Sequence, residues 1–336
     1  MGRTGLDVAV VGATGAVGET ILRVLEERRL PIDTLGPFAS RSREGAVRFG
    51  GQALDVRATN ADALAEFDVV FFAGGDELSD TYVPALVRNG RVVIDNSAAF
   101  RLHDGVPLIV PDVNPQAIAP GDGLFPVGNC TAIILCSALA PIRDAAGLRS
   151  VRVATYQAAS GAGRAGLDEL LAGERAALAG DAEPEPSVFP RSLARNVVPQ
   201  VGTFDASGYS GEERKVRDET RKILGLPGLF VSVTAVRVPV RTAHAEAVFV
   251  ETERPIDRAT VANAFAATPS LVYHDDGIVT PRDVEGTDRV HVARLRHERD
   301  NTQFAFWCAG DQLRKGAATT AVEILELLVA AGRFAK

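Results

Sequence analysis

Cys130, within Gly128-Asn129-Cys130-Thr131, is the residue whose type and setting best suit covalent chemistry. It stands at a predicted helix start, where unpaired amide donors and the positive end of the helix dipole favour thiolate over thiol. The same amides could hold an oxyanion. Taken alone, a cysteine entering a helix is equally a small buried apolar residue. Cys136, inside the helix, and Cys308, beside Trp307 in an apolar strand, read as packing. Three cysteines without CxxC spacing argue against a disulfide framework or a zinc site, and no metal is expected.

His244, in Val240-Arg241-Thr242-Ala243-His244-Ala245, follows one predicted strand and precedes another, which places it on a connecting segment. A loop histidine beside a thiol could serve as general base and acid near neutral pH. The alternative is an ordinary surface histidine, as His103, His274, His291 and His297 are read. Arg237 lies in the apolar run Val236 to Val240, where a charge is costly without a partner. A substrate carboxylate or a structural acid would each answer that need. Asn96 to Arg101, and Lys215 within Glu212-Glu213-Arg214-Lys215, would bind a second anion or are simply exposed charge.

A second chemistry is written nearer the N-terminus. Gly12-Ala13-Thr14-Gly15-Ala16-Val17-Gly18 separates the β-branched run 7–13 from apolar residues at helical spacing over 19–30. Small residues in such a turn let the backbone approach a pyrophosphate, which the amides and dipole of a helix beginning near Thr14 would stabilise. At the end of the next strand, where an acid would meet a ribose lacking the 2′-phosphate, the sequence offers Ser40-Arg41-Ser42-Arg43. Hydroxyls and guanidinium forks suit a phosphate, so NADP is expected rather than NAD. A basic surface loop is the alternative.

These groups need a framework of some size, and 336 residues predict two domains. Extended runs at 34–40, 67–73, 92–95 and 108–110, alternating with helices over the first ~125 residues, imply a doubly wound parallel sheet. Beyond residue 130 come a helix at 131–144, strands at 150–157, 229–240 and 245–253, and a helix at 212–224. That texture suggests an α+β domain with an antiparallel or mixed sheet. Helix 317–331 could pack back onto the first domain. With 36 basic and 43 acidic residues, net charge −7, a basic nucleic-acid binder is not expected. Apolar runs fall short of the ~20 residues that cross a bilayer. Asp7 and Gly12 interrupt any secretory signal, so a cytoplasmic protein is expected.

The ordered motifs Gly12–Gly18, Asp95–Arg101, Val110–Pro115, Gly128–Thr131, Thr155–Gly161, Glu219–Ile223, Val236–Val240 with His244, and Leu313–Ala318 resemble the aspartate-β-semialdehyde dehydrogenase family over essentially the whole chain. The resemblance implies an α/β fold: a Rossmann-type doubly wound parallel sheet (1–129, completed by helix 316–336) with a second α+β catalytic and dimerisation domain (130–315). It implies that Cys130 is acylated, that His244 is the acid/base, and that Gln157 orients the substrate. Arg237 and Glu212 would hold the substrate's carboxylate and ammonium, and Arg101, Asn129 and Lys215 its phosphate. Gly12, Thr14, Gly15, Ala16, Val17, Gly18, Ser40, Arg41 and Ser42 would hold NADP, helped by Ser160, Gly161 and Gln312. The implied reaction is reversible NADP-dependent reduction of L-4-aspartyl phosphate to L-aspartate 4-semialdehyde and phosphate, in lysine, threonine and methionine biosynthesis, by a homodimer or dimer of dimers. N-acetyl-γ-glutamyl-phosphate reductase runs the same chemistry on a substrate without a free ammonium, which would make Glu212 superfluous. A silent NADP-binding paralogue would be expected to lack Cys130 or His244.

Overall fold

The computed structural model describes residues 5–40 and 46–334. Contacts divide the chain into two units, Met1–Gly128 with Ala317–Lys336, and Asn129–Gly316. The first unit runs through β1 (Leu6–Val11), α1 (Ala16–Arg28), β2 (Ile32–Ala39), a hairpin of β3 (Ala46–Phe49) and β4 (Gln52–Asp55), then β5 (Arg57–Ala58) and α2 (Ala61–Leu64). It continues with β6 (Val69–Phe72), α3 (Asp76–Arg88), β7 (Val92–Asp95) and β8 (Leu124–Pro126). Six strands lie in the order β5-β2-β1-β6-β7-β8, every pairing parallel. Val69-Val70-Phe71-Phe72 shows why: a strand covered on both faces has no polar alternation, and all four residues are buried.

The segment 108–110, expected to be a strand, forms only an isolated bridge between Ile109 and Val127. The sixth strand is instead Leu124–Pro126. Asn114 explains the difference, because its side chain accepts the Val110 N–H at 2.8 Å and donates to the Leu108 carbonyl at 2.9 Å. Those are groups a neighbouring strand would otherwise take.

The turn after β1 depends on absent side chains. Gly12 has φ +83, and a Cβ on it would stand 2.6 Å from the Ala73 carbonyl oxygen. On Gly18 it would collide with the Gly12 carbonyl. The helix α9 (Thr319–Ala330) returns to this unit, where Arg28 on α1 pairs with Glu323 at 3.7 Å and Glu326 at 3.6 Å.

The second unit contains α4 (Cys130–Ala146), β9 (Ser150–Gln157), α5 (Gly163–Ala179), α6 (Gly211–Leu224), β10 (Phe230–Arg237) and β11 (His244–Glu251). After these come α7 (Arg258–Ala267), β12 (Leu271–His274), α8 (Pro281–Val284), β13 (Val290–His297) and β14 (Gln303–Gly310). Its sheet is mixed, in the order β10-β9-β11-β14-β13-β12, with β10–β9 and β12–β13 parallel. α4 is buried continuously from Thr131 to Ala140, so it is a core helix. On β9, Val151, Val153, Thr155 and Gln157 are buried while Arg152 and Tyr156 face outward, the period-two alternation of a sheet with one covered face. A π-helical turn, Arg314–Ala318, leads into α9.

Replacing Gly18 by alanine is expected to lower the unfolding free energy by about 3 kcal/mol, because the added methyl must displace backbone. Urea denaturation of parent and variant measures this; a change under 0.5 kcal/mol would mean the turn relaxes freely.

Candidate active site

Cys130 is the first residue of α4 and is partly exposed. Asn129 before it is the N-cap, and its Oδ1 accepts the N–H groups of Thr131 at 3.0 Å and Ala132 at 3.2 Å. Two of the donors a helix start leaves orphaned are thereby satisfied. The rest of Asn129 is held by α6. Its Nδ2 donates to Glu212 Oε1 at 2.9 Å, and its backbone N–H donates to Glu219 Oε2 at 2.5 Å. Gln157, at the end of β9, also donates to Glu212 Oε1, at 3.0 Å, and accepts from the Thr155 hydroxyl at 3.0 Å. Asn129, the neighbour of Cys130, and the substrate-orienting candidate thus meet on one carboxylate oxygen. Gly316 closes the far side, since a Cβ on it would stand 2.9 Å from Cys130 Cβ. Only a glycine lets the π turn lie this close, and such turns often mark functional sites.

His244 corrects the expectation of a loop histidine. It is the first residue of β11 and is fully buried. Its Nδ1 accepts the Ala158 N–H at 3.1 Å, so in the neutral ring Nε2 carries the proton. Burial, reinforced by the Arg237 charge, pushes the histidine down to about 3. Nε2 is itself buried without a hydrogen-bond partner. Ala243 just before it has φ +71, and its N–H donates to Gln312 Oε1 at 2.6 Å. Gln312 Nε2 in turn donates to Ser160 Oγ at 2.6 Å. One amide therefore secures a left-handed residue at the threshold of His244 and ties it to Ser160.

Arg237 ends β10 and is 5% exposed. Its Nη1 donates to the Ala158 carbonyl at 2.7 Å, and its guanidinium lies over Phe189, 5.7 Å from the ring centroid. Desolvation pulls its pKa below the usual guanidinium value, while the nearby Glu212 and Cys130 favour the cation. The partner its apolar run required is thus partly supplied. A Cβ on Gly161 would stand 2.7 Å from Arg237 Nη1 and 3.1 Å from His244 Nε2. Cys130, Gln157, Arg237, His244, Glu212, Asn129 and Gly161 are accordingly gathered in one unit, with Lys215 exposed on α6.

The other candidates lie in the first unit. Gly15, exposed, is the N-cap of α1 and offers no side chain to its first turn, so the amides of Ala16, Val17 and Gly18 meet no capping side chain. That leaves donors for an anion, with Thr14 beside them, and the cradle fits a dinucleotide pyrophosphate. Ser40 is exposed just beyond β2. Arg41 and Ser42 lie outside the described residues. At the end of β7, buried Asp95 accepts from the Ser97 N–H, the Ser97 hydroxyl and the Ser79 hydroxyl at 2.8–2.9 Å. Burial raises its pKa although these donors and Arg101 oppose the shift. The loop it pins ends at Arg101, which donates to the Asn96 carbonyl at 2.9 Å.

Sequence reasoning assigned no role to Glu219, Thr155 or Gly316, and none to the backbone of Ala158. Glu219 was legible in part: an acid two turns beyond Glu212 falls on the same helix face.

Two family models match, the semialdehyde dehydrogenase NAD binding domain over residues 7–120 and the semialdehyde dehydrogenase dimerisation domain over 139–315. Aspartate-semialdehyde dehydrogenase 2 of Vibrio cholerae is 43% identical over 96% of this chain and 97% of its own length. The Aquifex aeolicus aspartate-semialdehyde dehydrogenase is 40% identical over 98% and 99%. Crystal structures of the Vibrio cholerae enzyme II, one complexed with ASA, superpose with a TM-score of 0.94 at 41% identity, covering 97% of this chain and 99% of theirs.

The folded protein keeps His244 neutral, whereas an unfolded histidine protonates near pH 6.5. Acid therefore favours the unfolded chain, and the penalty develops as pH falls from 6.5 toward 3, by about 1.4 kcal/mol per unit at most. A glutamine at 244 carries no such linkage. Calorimetry between pH 7.5 and 4.5 should show the melting temperature of His244→Gln rising relative to the parent as pH falls; a pH-independent difference would contradict the buried neutral ring.

Proposed function

Because the chain belongs to the aspartate-semialdehyde dehydrogenase family, we propose that it reduces L-4-aspartyl phosphate to L-aspartate 4-semialdehyde, reversibly and with NADP, through an acyl-thioester on Cys130. The observation that carries this reading is the linkage of residues far apart in sequence: Gln157 and Asn129, the neighbour of Cys130, both donate to Glu212, Arg237 lies within reach of the charges of Glu212 and Cys130, and Gly161 lies against both Arg237 and His244. In the biosynthetic direction the Cys130 thiolate attacks the acyl carbon, and the C–O bond to phosphate breaks. Phosphate is held by Asn129, Lys215 and Arg101. Arg237 supplies a fork for the substrate carboxylate, Glu212 a counter-charge for its ammonium, and Gln157 a hydrogen bond near the thioester.

When bound, the dinucleotide would supply the hydride; Gly12, Thr14 to Gly18, and Ser40 to Ser42 would hold it, helped by Ser160, Gly161 and Gln312. As the thioester carbonyl becomes an oxyanion, the His244 Nε2–H is its donor, the acid side of an acid/base role. The fixed acceptor bond at Nδ1 keeps that proton on Nε2. Collapse of the tetrahedral species returns the aldehyde and the free thiolate, and in the reverse direction phosphate cleaves the thioester. Glu212 favours an aminated substrate over its N-acetylated, longer analogue, since a carboxylate gains nothing from an amide there.

The setting we propose is cytoplasmic aspartate-family amino-acid biosynthesis, supplying lysine, threonine and methionine. The outer face of the second unit's sheet carries Tyr156 against Trp307, with ring centroids 5.2 Å apart, and, farther along the strands, exposed Phe230 and Phe249. An aromatic face of this kind suits burial against a second copy, as a dimer or a dimer of dimers.

Phosphate-dependent NADPH formation from aspartate 4-semialdehyde tests the reading. Cys130→Ala should lower kcat by about 10⁴-fold or more, and mass spectrometry should find the trapped acyl group on Cys130; turnover that survives this change sinks the mechanism. Arg237→Lys should raise KM for the semialdehyde about 10- to 100-fold, because an ammonium cannot reproduce the bidentate fork. An unchanged KM would remove Arg237 from substrate binding.

A further inference from the structure

Glu219 is 1% exposed and lies two turns along α6 from Glu212. The two carboxylates grip the same residue at different points. Glu212 takes the side-chain amide of Asn129, and Glu219 takes its backbone N–H at 2.5 Å. Asn129 is thereby held at φ −58, ψ 138, the conformation in which its Oδ1 can cap Thr131 and Ala132 while Cys130 opens the helix. A charged acceptor on a backbone donor is a strong, directional bond. Burying a carboxylate is nevertheless costly, and an apolar residue of similar volume would commonly serve packing as well or better. A residue kept only to fill space between α6 and α4 therefore has no need of a carboxylate that accepts a backbone N–H.

We propose that Glu219 is a positioning residue for the nucleophile. Its carboxylate fixes the Gly128–Asn129 peptide, one residue ahead of Cys130, so the sulfur keeps one orientation through successive attack and release. This rests on the reading of Cys130 as the acylated residue. Glu219 touches neither substrate nor cofactor in this account, so its loss acts on kcat and spares KM. A misplacement of about 1 Å at a reacting atom is enough to cost roughly 100-fold.

The test compares E219A, E219Q and E219D with the parent in the phosphate-dependent assay, with melting temperature and oligomeric state recorded for each. E219A should lose about 100-fold in kcat with KM for aspartate 4-semialdehyde within threefold of the parent. E219Q, whose amide oxygen can still accept the Asn129 N–H, should recover to within about tenfold of the parent. E219D withdraws the carboxylate by one methylene and should lose about tenfold in kcat at unchanged KM; it decides the matter if E219A does not fold. Parental kcat in folded E219A or E219D, a KM that rises as far as kcat falls, or a glutamine variant no better than alanine each overturns the role of Glu219 alone. A parent protein without phosphate-dependent turnover overturns the reading of the site and this inference with it.

Discussion

A helix that begins on a partly exposed cysteine must satisfy its orphaned amides without covering the sulfur, and the bonds joining α4, α6 and the end of β9 are arranged around that constraint. Asn129 meets it from outside the helix, with its oxygen on Thr131 and Ala132. A side chain so used has no freedom to swing; its amide nitrogen donates to Glu212, and the residue's backbone N–H donates to Glu219. The capping motif is therefore also the joint between α4 and α6. The geometry of Cys130 and the placement of the groups on α6 stand or fall together, because one asparagine belongs to both.

The sheet solves the complementary problem of carrying charge into an apolar interior. β9 lies between a parallel neighbour, β10, and an antiparallel one, β11. Gln157, Arg237 and His244 consequently arrive at one end of the sheet from three strands, and Arg237 is in register with Gln157. The peptide of Ala158, just past β9, serves two of these residues, donating to His244 and accepting from Arg237. A neutral imidazole and a buried guanidinium can then sit side by side, since the histidine adds no second positive charge. Phe189 covers the guanidinium and keeps its cost down.

Much of this was legible from residue types. The glycines of the first turn, the apolar strands at 34–40, 67–73 and 92–95, and the cysteine at a helix start follow from local rules, and the structure places them within a residue or two of expectation. His244 was misplaced because a histidine between two strands looks like a turn, whereas the Gln312 bond to Ala243 lets the strand begin one residue early, on a left-handed neighbour. The segment 108–110 was misread because the competing partner was a side chain, Asn114, and not another strand. α5 escaped notice because Gly163, Gly166 and Gly173 weaken its helical signature. Gly166 and Gly173 let other groups approach, a Cβ on Gly166 coming within 2.8 Å of the Ala159 carbonyl oxygen, while Gly163 takes φ +75. Glu219 needed knowledge of a contact 90 residues away, which spacing alone does not carry.

The first unit is discontinuous: its sheet is finished by residue 128, yet α9 belongs to it. During synthesis, at roughly 5–20 residues per second, the nascent sheet must wait on the order of ten to forty seconds while all of the second unit is made. Until then the surface of α1 that α9 covers faces solvent, and Arg28 lacks Glu323 and Glu326. The last helix thus acts as a late clasp, and a ribosome that stalls within it releases a chain whose nucleotide-binding half is complete in strands but not in cover.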